Sequence, residues 1–331
     1  MKKILGITVI CCLLMIACGE TRKQNPGNGT KQWNPNNSKE IAYVLPNVGP
    51  YYDQKWYGVK DELTKLGYTP IMYQAGGYKN TKRQIEILDN LIQKKVAGII
   101  LHATSADALI PSVENAVKNG IPIIAENVRL HTDKVAADVN LDIDRVGWEI
   151  AMFIVDRLEG EGNIIALIGP PGLEFSDMMW AAASKYFAQF PGIKVLKGEY
   201  LQAQATDALK ITESLLTAYK DVDAIYCWYV QNAIGAAQAV KAAGIEPNKI
   251  IIAAKDINPE GEDLLKEGYI TGLLVGTPVE MGRTSAQTMV KILSGQKYEK
   301  ETLLNNYLIR SSYVNKINRQ GFEIPGKTQS I

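Results

Sequence analysis

Aromatic and acidic side chains recur at a few places along this chain. Tyr51, Tyr52, Tyr78, Trp228 and Tyr229 supply flat faces, Asp177 and Asp256 supply carboxylates, and Asn127 supplies an amide. Aromatic rings stack on the apolar face of a sugar or hold a methylated cation, while carboxylates and amides bond hydroxyls. That is binding chemistry. Catalytic chemistry has little to draw on: the chain has two histidines, His102 and His131, and lacks G-x-S-x-G, Walker A and H-E-x-x-H motifs. No G-x-G-x-x-G follows the first apolar run. His102 ends an apolar run and reads as a satisfied strand-end histidine. The expectation is a binding protein, not an enzyme, with no metal or cofactor.

The elements that must position these residues alternate along the chain. Short apolar runs at 41–46, 70–73, 98–103, 121–126, 163–169, 224–228 and 250–256 suit strands covered on both faces. Between them lie stretches of helical period, such as Ile85, Leu88, Leu91 and Ile92 behind Asn80 as N-cap, or the run that Gly244 ends. Repeated strand–helix alternation predicts an α/β fold of doubly wound parallel sheets. The pattern runs twice, before and after about residue 141, which predicts two lobes with a cleft between them. Ligands of such sheets bind beyond the carboxyl ends of the strands. Tyr51, Tyr52, Tyr78, Asn127, Asp177, Trp228, Tyr229 and Asp256 all follow such ends, and Glu126 lies nearby. Of the Trp228–Tyr229 pair, alternation lets only one face a cleft. Glu126 reads as facing solvent or a neighbouring strand.

The first residues carry a separate signal. Lys2 and Lys3 precede a charge-free run, Ile4 to Ile16, of signal-peptide rather than membrane-span length. It ends at Ala17-Cys18-Gly19, which makes Cys18 the expected lipidation site. Residues 19–39, rich in Asn, Gly, Lys and Pro, cannot bury a core and form an expected tether reaching ~25 Å. Removing the leader leaves Cys227 as the one cysteine beyond Cys18, so no internal disulfide is expected. A net charge of +1 with interspersed signs argues against a nucleic-acid partner. With 46% apolar residues, the roughly 290 residues after the tether suffice for two lobes.

The blocks IAYVLPNVGPYYDQKWYGVKDELTKLGY, GIILHATSADAL, NGIPIIAEN, LLTAYKDVDAIY and AAKDINPEGEDLLKEGYITG resemble, in order and spacing, the type I periplasmic binding proteins of the ribose-like sugar-binding branch. AGGYKNTKRQ with YYDQKWYG is similar to the periplasmic proteins that present trimethylamine N-oxide to a sensor kinase. The resemblance implies crossovers near 141, 276 and 307 and closure of the lobes on a ligand. It thus implies a first lobe of 40–141 plus 277–307 and a second of 142–276 plus 308–331, behind a signal peptide (1–17) and a lipidated tether (18–39). Tyr51 and Tyr52 stand where sugar binders place stacking aromatics, Tyr78 matches the N-oxide binder's tyrosine, and Asp256 matches the sugar binders' second-lobe aspartate. Departures are Asn127 for an aspartate, Val128 and Asp177 for arginines, Tyr229 for an asparagine, and Gly276 for an amide. Ile143 or Arg145 stands where the N-oxide binder has a tryptophan. The family favours a sugar or polyol as ligand, whereas the aromatic, acidic residue set points toward an amine or N-oxide. The implied partner is an ABC-type permease or, alternatively, a sensor histidine kinase. The expected state is an exported monomer, facing the periplasm or cell exterior and touching the membrane only through its lipid.

Overall fold

A computed structural model describes residues 33–171, 173–310, 319, 321 and 323. Cys18, the expected signal peptide and most of the expected tether lie outside the described residues. Among those described, no helix is long and apolar enough to cross a membrane.

Two six-stranded sheets organise the chain. The first lobe holds β1 (Glu40–Leu45), β2 (Thr69–Gln74), β3 (Gly98–Leu101), β4 (Ile123–Glu126), β5 (Ala137–Leu141) and β11 (Glu301–Leu304) in the order β11-β5-β4-β3-β1-β2. The second holds β6 (Glu161–Ile168), β7 (Gly192–Tyr200), β8 (Ala224–Cys227), β9 (Ile251–Lys255), β10 (Gly272–Val275) and β12 (Tyr307–Ile309) in the order β12-β10-β9-β8-β6-β7. The orders are the same, strand for strand. Every pairing is parallel except that of β10 with β12. The chain passes from one sheet to the other after β5, after β10 and between β11 and β12.

Nine helices in the described residues cover the sheets. In the first lobe, α1 (Pro50–Lys65) and α9 (Pro278–Leu293) pack on one face, α2 (Thr81–Lys94) and α3 (Ile110–Lys118) on the other. The second lobe has α4 (Ile143–Arg157) and α5 (Glu174–Phe187) on one face, with α6 (Ala205–Ala218), α7 (Val230–Ala242) and α8 (Pro259–Glu267) on the other. Coverage on both faces explains why central strands read as continuous apolar runs: β3, β4, β8, β9 and β10 are buried throughout. Gly244, at φ 69, ends α7 as its left-handed residue. Asn80 does occupy the N-cap of α2, but its side chain makes no cap bond. It donates instead to the Ala75 carbonyl, tying down the loop that carries Tyr78.

Helix α1 is held unusually close to α9, and this sets where its first turn sits. A Cβ on Gly58 would collide with the Val279 carbonyl, and one on Gly282 with that of Lys55. Glycine therefore lets the two backbones touch. Gly58→Ala is expected to push α1 off α9 and lower the unfolding free energy by about 1–3 kcal/mol, despite alanine's better helix propensity. Urea denaturation measures it. An alanine variant as stable as the parent would mean the contact is not needed.

Candidate ligand-binding site

Equivalent strand ends in the two lobes carry the candidate residues. After β4 the chain turns through Asn127, at φ 65, and after the corresponding β9 through Asp256, at φ 68. Asn and Asp are the non-glycine residues that best tolerate this left-handed region. Both turns are anchored alike, Asn127 N–H on the Val139 carbonyl and Asp256 N–H on that of Leu274. His102 after β3 corresponds to Trp228 after β8, their amides bonding the carbonyls of Val44 and Leu167. The last residues of β4 and β9, Glu126 and Lys255, correspond and are opposite in charge.

On the first lobe the aromatics form one connected wall. Tyr51 and Tyr52, in the first turn of α1, meet edge to face at 5.6 Å. The Tyr51 hydroxyl lies 2.5 Å from Asn127 Oδ1, and that of Tyr52 lies 3.3 Å from the Tyr78 hydroxyl. Tyr78, 47% exposed, also reaches His102 Nε2 at 3.0 Å. Burial raises the pKa of Tyr51, Tyr52 and Tyr78, so all three hydroxyls keep their protons at neutral pH.

Behind the wall sits a charged cluster with no access to solvent. Glu126 accepts from Tyr43 at 2.6 Å and Ser285 at 3.0 Å, and pairs with Lys55 Nζ at 2.6 Å. Both charged side chains are fully buried. Of the expectation that Glu126 faces solvent or a neighbouring strand, the solvent alternative is corrected: partners on α1, α9 and strand β1 of the same sheet are enough to hold a carboxylate inside. Lys55 also lies 3.0 Å from His102 Nδ1 and 5.3 Å from the Tyr51 ring. Burial lowers the Lys55 pKa and Glu126 opposes that shift. Burial, and then the Lys55 charge, holds the His102 pKa well below the usual histidine range. His102 is thus satisfied, as read from sequence, yet it supports the wall directly.

The second lobe contributes Tyr229 and Asp256. The Tyr229 pKa is raised first by the Asp256 carboxylate, then by burial, with a contribution from Tyr52 of the opposite lobe. Tyr51 likewise feels Asp256. Tyr51 and Tyr52 of the first lobe are therefore within electrostatic reach of Asp256 and Tyr229 of the second. Of the adjacent pair, Trp228 is 8% exposed and packs in the core, its ring tilted against that of Tyr229 at 5.6 Å. Asp256 is paired with Lys255 Nζ at 2.6 Å, and that ammonium lies 5.4 Å from the Phe175 ring. Asp177, partly buried on α5, makes no side-chain hydrogen bond or ion pair with the described residues. A Cβ on Gly276 would meet only ordinary contacts with Asn306, Asp256 and Leu141, leaving room beside Asp256. Cys227 is a buried free thiol. A separate groove of about 770 Å³ between α4 and α5, lined in part by Trp148 and Tyr186, shares no residue with this cluster.

Sequence reasoning missed Lys55 and Lys255 as parts of the site, and placed Glu126 beside it without its buried partners. Lys55 shares the i, i+4, i+8 stripe with Val59 and Leu63, both buried, and that spacing was the available signal. Glu126 and Lys255 each close an otherwise apolar strand.

The comparisons with known proteins agree with this architecture. A model of the periplasmic binding protein domain matches residues 41–297. The xylitol-binding protein of Mycolicibacterium smegmatis is 30% identical over 258 residues, covering 77% of this chain and 73% of that protein. The D-allose-binding periplasmic protein of Escherichia coli K12 is 27% identical over 260 residues, covering 76% and 83%. A solved ABC transporter periplasmic solute binding protein from Actinobacillus succinogenes 130z, with bound D-allose, shares the fold. Its TM-score is 0.75 at 23% identity, over 85% of this chain and 100% of that one. Matching strand orders, paired strand-end residues and these relatives lead to one assignment: the chain belongs to the periplasmic binding protein domain family, in its type I, ribose-like branch.

Proposed function

We propose that this protein captures a small neutral polyhydroxylated ligand, a sugar or sugar-like polyol, between its lobes and hands it to an ABC-type permease. What supports this reading is the first-lobe wall of Tyr51, Tyr52, Tyr78 and Asn127, with Tyr51 in electrostatic reach of Asp256 and Tyr52 of Tyr229, from equivalent strand ends of two lobes. The relatives' named ligands, xylitol and D-allose, are of the same class. The amine reading rested on an acidic pocket, and that support is weakened. Glu126 is paired with Lys55 and Asp256 with Lys255, so the charges beside the wall cancel. Stacking faces together with hydroxyl-bonding groups suit a polyol ring without asking it to carry charge. Delivery to a permease requires export, and the leader ending at Cys18 fits a lipid-anchored protein at a membrane surface.

A thermal-shift panel of D-allose, D-ribose, xylitol and choline tests the ligand class. A neutral polyol at a hundred times its Kd should add about 2.7 kcal/mol of stability. A shift with choline and none with any polyol would overturn the reading.

A further inference from the structure

We infer that the buried Lys55–Glu126 pair is a tautomer lock on His102, and that through it Tyr78 and Asn127 turn hydrogen-bond donors toward the ligand. The device rests on the ligand site proposed above and sharpens its selectivity. It selects ligands that present acceptor oxygens to Tyr78 and Asn127, and it rejects ammonium groups there.

The argument follows the protons. Lys55 Nζ lies 2.6 Å from Glu126 Oε2 and 3.0 Å from His102 Nδ1. An ammonium only donates, so Nδ1 must accept, and an imidazole that accepts at Nδ1 carries its proton on Nε2. That N–H points to the Tyr78 hydroxyl oxygen at 3.0 Å, which also receives the Tyr52 hydroxyl at 3.3 Å. With both lone pairs taken, the Tyr78 proton has no acceptor in the network and is free for the cleft. Asn127 Oδ1 accepts from Tyr51, and Asn127 Nδ2 lies 3.4 Å from a nitrogen that already bears a proton. Its amide protons are therefore free as well. Rotating the amide by half a turn lets Nε2–H reach Oδ1 and moves the free donor to the Tyr51 hydroxyl. In either orientation one donor stays free for the cleft, on Asn127 or on Tyr51.

The surroundings of His102 agree. Lys55 and Tyr52 face it from α1, Tyr78 from the β2–α2 loop and Asn127 from the end of β4, while Gln84 on α2 donates to its backbone carbonyl. Glu126 reaches it only through Lys55. No carboxylate touches the ring among the described residues, so nothing there favours an imidazolium. His102 is a positioning residue: it orients Tyr78, which meets the ligand.

Nitrogen-15 NMR of the full-length ligand-free protein tests the lock, with His131→Gln to assign the two histidines. His102 should show a protonated Nε2 and a bare Nδ1, unchanged from pH 5 to 8. Lys55→Met/Glu126→Leu should release it, giving both tautomers or a titrating ring. Tyr78→Phe should leave the proton on Nε2, because Lys55 and not Tyr78 sets it. A proton on Nδ1 in the parent, titration of the parent ring within that range, or a switch in Tyr78→Phe would overturn the inference. The donor polarity is read by the melting shift. D-allose, D-ribose or xylitol should raise the melting temperature of the parent more than choline does, and the reverse order would overturn it. The readouts separate: no shift with any polyol counts against sugar capture, whereas the nitrogen signals decide the lock whichever probe binds.

Discussion

Lys55→Met and Glu126→Leu, made singly, should each lower the unfolding free energy by about 3–5 kcal/mol, while the double variant should be more stable than either. The reason is the asymmetry between a missing pair and a broken one. Lys55 and Glu126 are fully buried, and their ion pair has Tyr43, Ser285 and His102 as further partners. Removing one charge strands the other where water cannot reach it. Removing both leaves the hydroxyls of Tyr43 and Ser285 short of an acceptor and His102 Nδ1 short of a donor, neutral groups that cost about 1–3 kcal/mol each at most. Urea denaturation of the parent, the two single variants and the double variant closes the cycle. Simple additivity, with the double variant weaker than both singles, would mean that the pair does not act as a unit.

How much of this was legible in the sequence depends on what each residue's type advertises. Most strands announce themselves as apolar runs, and seven were read within two residues of their observed ends. Most of the strands not read are those whose surroundings permit polar residues; β10 is the exception, buried throughout but only four residues long and opened by Gly272. In β5, Asp138 and Asn140 interrupt the apolar pattern, and β7 lies at a sheet edge with most of its residues at least partly exposed. The short β11 and β12 flank a crossover and carry little periodicity. Tyr229 and Asp256 were findable because they directly follow buried strands, where open α/β sheets place their ligands. Lys55 was not, because a lysine in a helix normally marks the solvent face and only its position on the 55–59–63 stripe said otherwise. Glu126 misled for the same reason. Its partners come from positions 43, 55 and 285, and no local pattern joins residues so distant in sequence.

Asp256→Asn is expected to have the largest effect on binding, weakening whichever polyol the thermal-shift panel returns by about ten- to a hundredfold. Hydrogen bonds to a charged group contribute about 1.5–3 kcal/mol, and each 1.4 kcal/mol is tenfold in affinity. Asparagine is the informative replacement because it tolerates the left-handed backbone at φ 68, as Asn127 does at the equivalent turn. Shape and backbone are then kept while the charge is lost. The same change leaves Lys255, 8% exposed along its side chain, without the carboxylate now 2.6 Å away. Part of the loss should therefore appear as lower stability of the unliganded protein, separable by measuring unfolding without ligand. Asp177→Asn is the contrast. Its carboxylate bonds nothing among the described residues, so for a neutral ligand the change should cost about threefold or less, within the range of ordinary surface substitutions. A cationic ligand would invert the order. It would draw on the unpaired Asp177 rather than on Asp256, already engaged by Lys255, and the loss on Asp177→Asn would shrink with added salt. Calorimetry on the two variants at low and high salt distinguishes the cases. A greater loss at Asp177 would reject the polyol reading and move the second-lobe anchor onto α5.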